Sequence, residues 1–110
     1  MNKLSGIYKV TNKINNKIYI GKSKDLYTRL RAHHTEPFNS NADMYNSLFY
    51  RAIRKYGIDN FQFEIIEYCS EDDLNEREKY WIKYYNSYIN TPNGYGYNMT
   101  EGGETNCFYQ

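Results

Sequence analysis

Among the many side chains of this chain whose types could work on a phosphate ester are Tyr8, Tyr19, Arg29, His33, Glu78 and Asn98. Hydrolysing such an ester needs an activated water, positive charge on the non-bridging oxygens, and help for the departing oxygen. A guanidinium stays charged and forks onto phosphate oxygens, which suits Arg29. An imidazole with a reference pKa of ~6.5 suits proton transfer at His33. One carboxylate, Glu78, is enough for Mg²⁺, which keeps several waters and takes further oxygens from a phosphate. Each residue also has a plain structural reading. Tyrosines pack well on sheets, Arg29 is a helix cation, His33 packs at an edge beside Leu30, and Glu78 pairs with Lys79 or Lys83.

The elements that must position these groups begin with Ser5 to Gly21. Two alternating runs, Gly6 to Asn12 and Lys17 to Gly21, flank a polar Lys13-Ile14-Asn15-Asn16 connection and predict a β-hairpin. With a turn of either two or four residues, Tyr8 and Tyr19 share one face. A helix follows from a Ser23 cap to about His34, with Asp25 in its first turn. Arg29 and His33 share a face flanking the Leu26 and Leu30 stripe. Thr35 to Asp43 is a polar loop. A second helix spans about Met44 to Tyr56, with Leu48, Ala52 and Ile53 inward, Arg51, Arg54 and Lys55 outward, and Gly57 as its stop. Phe61 to Tyr68 is the third strand. Ser70 opens a third helix running to about Asn86, with Leu74, Trp81 and Ile82 inward. If Trp81 faces the core, Glu78 lies about 60° round the helix and Glu76 about 140°, which favours Glu78 as the inner carboxylate. From about residue 87 the chain is turn-rich. The predicted class is α+β, a small three-stranded antiparallel sheet flanked by helices in the order β-β-α-α-β-α.

A chain of 110 residues supports one domain, here taken as 1–110, with a core that needs no disulfides. No apolar run approaches the ~20 residues of a membrane span. Met1 to Leu4 lead straight into a strand pattern without a signal peptide, so an intracellular, cytoplasmic or nuclear, setting is expected. Cys69 and Cys107 fit no metal spacing and are expected as free thiols. The net charge of +1 hides an asymmetry: residues 1–56 hold eleven Lys/Arg against three acids, and residues 57–110 hold three against ten. That polarity fits a phosphate backbone on one side, or two halves that attract each other.

Gly6-Ile7-Tyr8 and Tyr19-Ile20-Gly21, followed by Arg29-x-x-x-His33, Glu78 three residues before Trp81, Asn98 and Gly102-Gly103, resemble the GIY-YIG nuclease family over nearly the whole chain. The resemblance implies a Mg²⁺- or Mn²⁺-dependent DNA endonuclease of homing or mobile-element type that leaves 5′-phosphate and 3′-hydroxyl ends. It places Tyr8 near the nucleophile with Tyr19 beside it, Arg29 on the phosphate, His33 in proton relay, Glu78 on the metal, and Asn98 in orienting the site. Which residue is the general base stays open. DNA is the implied partner, contacted by Lys22, Lys24 and Arg31, with a separate DNA-binding region or partner to set the target. One departure stands out: some homing relatives carry a second histidine near the position of Met44. The alternative is a catalytically silent nucleic-acid-binding module on the same fold, and a third reading is an interaction domain whose charged halves drive self-association.

Overall fold

The computed structural model describes residues 3–103. Strands β1 (Gly6–Asn12), β2 (Ile18–Ser23) and β3 (Phe61–Tyr68) form one antiparallel sheet in the order β2-β1-β3. Helices α1 (Leu26–Ala32), α2 (Leu48–Tyr56) and α3 (Leu74–Tyr85) complete the predicted order, with short 3-10 turns at Glu36–Phe38, Ile58–Asn60 and Glu71–Asp73. The fold is therefore the expected α+β arrangement. β1 is the central strand, not an edge, because β3 adds beside it and leaves β2 outside.

Period-two alternation gives β1 two buried faces. On one, Val10 packs with Phe49, Tyr50, Ala52, Ile53, Phe61 and Tyr97, beneath α2; on the other, Ile7 and Ile20 pack with Leu74 and Ile82 of α3. The hairpin connection takes four residues: Asn12 N–H donates to the Lys17 carbonyl at 2.9 Å, and Asn16 adopts φ 66°. The register pairs Tyr8 with Gly21 and Val10 with Tyr19, so both tyrosines face α2 as the even loop requires.

Helix starts differ from the sequence expectation. Ser23 Oγ accepts from Asp25 N–H at 3.0 Å, forming a turn before the helix, and the Asp25 side chain then caps α1 at Thr28 N–H. α2 starts at Leu48 rather than near Met44, because Ser47 Oγ accepts from Tyr50 N–H at 3.1 Å and ends the preceding loop. Gly57 stops it at φ 92°, where a β-carbon would be strained. Ser70 precedes the 3-10 turn rather than α3 itself.

The rotation of α3 is set by β3. Glu67 accepts from Arg77 Nε at 2.9 Å and from Trp81 Nε1 at 2.7 Å, while Leu74 and Ile82 are buried. Beyond α3, the chain returns along the free edge of β2, where Tyr97 N–H donates to the Ile18 carbonyl at 2.9 Å. The halves of opposite charge are interleaved in this fold and joined by Lys9–Glu64 at 3.3 Å and Lys22–Glu78 at 3.5 Å. Cys69 is free; Cys107 lies outside the described residues. Among the described residues no helix is long and apolar enough to cross a membrane.

Candidate active site

The two glycines of the hairpin bring its tyrosines into place. A β-carbon on Gly21 would fall 2.2–2.4 Å from the Tyr8 ring, so the ring lies across bare backbone. A β-carbon on Gly6 would fall 2.1 Å from the Glu67 carbonyl, beside the register shift between Ile7 and Tyr8 where β1 meets β3. Tyr8 is thereby buried, 1% exposed. Tyr19 lies 6.3 Å from it between ring centroids and stacks on Phe49 of α2 at 4.2 Å, with an interplanar angle of 5°.

α1 delivers the next pair. His33, its C-cap residue, is fully buried, with Nε2 2.6 Å from the Tyr8 hydroxyl and Nδ1 2.8 Å from the Tyr50 hydroxyl. The Tyr50 hydroxyl in turn donates to Glu36 Oε1 at 3.3 Å. Both imidazole nitrogens are thus engaged, which edge packing alone would not require. Burial, helped by the charges of Arg29 and His34, pushes the His33 pKa well below 6.5 and keeps the ring neutral. Arg29 reaches the same pocket, half-exposed, with Nη2 3.1 Å from Met44 Sδ and Nη1 3.8 Å from Glu36 Oε1. Met44 therefore faces the site, and its thioether cannot move a proton. Burial pushes the Tyr8 phenol up to about 12, against the opposing pull of Arg29, and raises Tyr19 well above its ordinary value.

Glu78 arrives from α3 on the other side of the sheet. Its Oε1 accepts from Gly103 N–H at 3.0 Å and lies 3.5 Å from Lys22 Nζ, and its charge reaches both Tyr8 and Tyr19. Gly102 and Gly103, at φ 91° and 83°, make the tight turn that aims this amide. Glu76, the rival carboxylate, is exposed. Lys22 sits within the cluster and also meets Asn75, while Lys24 and Arg31 are exposed on the surface.

Asn98 does not touch the tyrosines. Its Oδ1 accepts from Ile20 N–H at 2.8 Å, its Nδ2 donates to the Ile20 carbonyl at 2.9 Å, and Ser87 Oγ donates to Oδ1 at 2.8 Å. The side-chain amide thus completes the ladder on the outer edge of β2, between Tyr19 and Gly21. The sequence reading missed Tyr50 and Glu36 as site residues. A tyrosine midway along a helix and a loop glutamate carry no spacing signal toward His33.

The model of the GIY-YIG catalytic domain matches residues 4–95, which include every member of this cluster up to Glu78. The chain belongs to the GIY-YIG catalytic domain family. It is 40% identical over 98 residues to the putative endonuclease segB of Enterobacteria phage T4, covering 88% of this chain and 38% of that protein. It is 35% identical over 100 residues to intron-associated endonuclease 1 of the same phage, covering 88% and 37%. A probable intron-encoded endonuclease 1 of Neurospora crassa is 39% identical over 85 residues, covering 77% and 26%. The chain therefore spans between 26% and 38% of the length of these endonucleases. Among solved structures, a mutant of the catalytic domain of intron endonuclease I-TevI superposes with a TM-score of 0.72 at 33% identity, covering 90% of this chain and 96% of that one. A second structure of the I-TevI catalytic domain gives a TM-score of 0.69 at 34% identity, covering 87% and 98%. The GIY-YIG tripeptides lie here in the two strands of the hairpin, central β1 and outer β2, and their glycines are the positions where Tyr8 and β3 approach the backbone.

Proposed function

We propose that this GIY-YIG domain is a metal-dependent DNA endonuclease of homing or mobile-element type, cutting to leave 5′-phosphate and 3′-hydroxyl ends. The observation that carries the reading is the 2.6 Å contact between Tyr8 and His33, with Arg29 beside it and the Glu78 charge within reach. The endonuclease names of the phage and fungal relatives support it.

The donor chemistry fits a hard divalent cation. Glu78 presents carboxylate oxygens, the hard donors that Mg²⁺ and Mn²⁺ take, and Lys22 Nζ, 3.5 Å from Oε1, would have to give way to the cation. Glu78 would hold Mg²⁺ or Mn²⁺, with the remaining positions left to water and substrate phosphate. When bound, that cation supplies charge stabilisation at the phosphate and at the leaving 3′-oxygen.

The protein's own groups do the rest. Arg29 stabilises the charge that grows on the non-bridging oxygens. Tyr8, pushed up to about 12, is a poor base alone at neutral pH. Its oxygen takes the proton of the attacking water while its own proton passes to His33, so that no free tyrosinate accumulates. Tyr19 and Phe49 wall the ring in place. Asn98 acts through the backbone, holding the β2 segment that carries Tyr19 and Gly21. Exposed Lys24 and Arg31 contact the phosphate backbone without reading sequence, so target choice falls to a separate DNA-binding region or partner.

The test is conversion of supercoiled plasmid to nicked or linear DNA in Mg²⁺ and in chelator, by the wild type, Glu78→Gln and Arg29→Ala. Cutting should require the metal and be lost in both variants. A salt-sensitive gel shift without cutting, equal in wild type and Glu78→Gln, would replace the reading with that of a silent binding module.

A further inference from the structure

A chain of hydrogen bonds runs inward from the surface to the reacting tyrosine. Glu36, in the 3-10 turn after α1, is partly exposed, its side chain 41% accessible, and accepts from the Tyr50 hydroxyl at 3.3 Å. Tyr50 Oη lies 2.8 Å from His33 Nδ1, and His33 Nε2 lies 2.6 Å from Tyr8 Oη. The Tyr50 proton has two places to go, Glu36 Oε1 at 3.3 Å and His33 Nδ1 at the shorter 2.8 Å; a carboxylate oxygen only accepts, so a Tyr50–Glu36 hydrogen bond takes that proton and leaves none for His33. With its proton on Glu36, Tyr50 accepts from His33, an arrangement that puts the proton of the neutral ring on Nδ1. Nε2 is left as the acceptor, and the Tyr8 hydroxyl donates to it.

We infer that Tyr50 and Glu36 are positioning residues that fix the tautomer of His33 so that Nε2 receives the Tyr8 proton. The inference deepens the nuclease reading and rests on it for its catalytic meaning, although the tautomer itself is a property of the free protein. The proton balance is simple. Tyr8 gives one proton to Nε2 as it takes one from the attacking water, and the ring becomes an imidazolium whose Nδ1–H is already held by Tyr50. The Tyr50 oxygen, polarised by the Glu36 carboxylate, stabilises that cation inside a pocket otherwise walled by Phe49 and Phe63. Without the carboxylate the Tyr50 hydroxyl could turn and donate to Nδ1. The ring proton would then move to Nε2 and point at Tyr8, which blocks the transfer.

The decisive measurement is the ¹⁵N spectrum of the two histidine rings in the full chain without DNA or metal, with His34→Gln assigning the signals. The wild-type His33 should show a protonated Nδ1 and an unprotonated Nε2. Glu36→Leu should populate the opposite tautomer and slow plasmid cutting by about 10–100-fold, by analogy with the partners that orient metal-ligating histidines. Glu36→Gln, which keeps an acceptor oxygen, should restore the wild-type tautomer and most of the rate. Tyr50→Phe should lose tautomer preference and rate together. A wild-type ring protonated at Nε2, or a Glu36→Leu ring and rate both unchanged, would overturn the inference. If the wild type cuts no DNA, the spectrum still decides the tautomer, and the failure belongs to the nuclease reading instead. Thermal melts of each variant separate misfolding from loss of orientation, and Glu36→Leu carries the test if Tyr50→Phe does not fold.

Discussion

The Tyr8 hydroxyl and His33 Nε2 lie 2.6 Å apart across 25 residues of sequence, both buried between the sheet and α1. Tyr8→Phe keeps the ring over Gly21 and removes only the hydroxyl. The expected result is a folded domain, destabilised by about 1–3 kcal/mol because Nε2 is left unpaired. Its cutting rate should be lower by about 10²–10⁴, the span of general acid–base catalysis. Plasmid cutting alongside a denaturant melt checks both. Full activity in Tyr8→Phe would remove Tyr8 from the chemistry.

Gly21 makes a different prediction, because its role is space. The β-carbon of Gly21→Ala would fall 2.2 Å from the Tyr8 ring, so the ring must leave its place over β2 or the strands must separate. The expected loss of cutting is at least as large as that of Tyr8→Phe, with a stability cost of about 1–3 kcal/mol from overpacking. A near-normal rate in Gly21→Ala would mean that the position of Tyr8 over the backbone is not needed.

Asn98 braces rather than reacts. Asn98→Ala strips partners from Ile20 N–H, the Ile20 carbonyl and Ser87 Oγ, all near the buried edge of β2. A loss of roughly 2–4 kcal/mol is expected from those orphaned groups. Residual cutting, measured well below the lowered melting temperature, should keep its dependence on metal. Hydrogen exchange at Ile20 should speed up selectively, and unchanged exchange there would contradict the bracing role.

Acid should loosen the fold through His33. Burial first, then Arg29 and His34, hold its pKa well below the ordinary 6.5, with Tyr8, Tyr50 and, through Tyr50, Glu36 as its other neighbours. The unfolded chain therefore binds a proton near pH ~6.5 that the folded chain refuses, and stability rises with pH through that window. The His33 contribution is present above about 6.5 and is lost as pH falls toward the folded value. Melting temperatures of wild type and His33→Gln, followed from about pH 7.5 to 5, should converge as pH falls. Parallel curves would show that His33 is not a buried neutral ring.

Much of the candidate site was legible because it is local or periodic. The shared face of Tyr8 and Tyr19 follows from the even loop and the two-residue period of strands, and the pairing of Arg29 with His33 follows from helical spacing. Glu78 was distinguishable from Glu76 by its angle from Trp81. Helix starts were less legible, since several Ser and Asp residues compete for each cap and only the path of the incoming loop selects Asp25 and Ser47. The meaning of the GIY-YIG glycines was hidden as well: a glycine in a strand signals a close approach but not by what. Here it is the Tyr8 ring at Gly21 and the Glu67 carbonyl at Gly6.

The sequence by itself determined the element order, the shared face of Tyr8 and Tyr19 and the family to which the domain belongs, because these depend on short-range periodicity and on motif spacing, whereas the burial of Phe49 and Tyr50 beside Ala52 and Ile53 on α2 was not read from it. Tertiary structure alone decided that β1 is central, that Asn98 completes the edge of β2, and that Gly103 closes on Glu78. It also decided the partners of His33. Tyr50, 17 residues away, meets it because α2 packs over the tyrosine face, and Glu36, in the turn after α1, reaches Tyr50 rather than the ring itself. Hydrogen bonds that require sub-ångström placement of groups from separate elements follow from packing, and no local pattern encodes them.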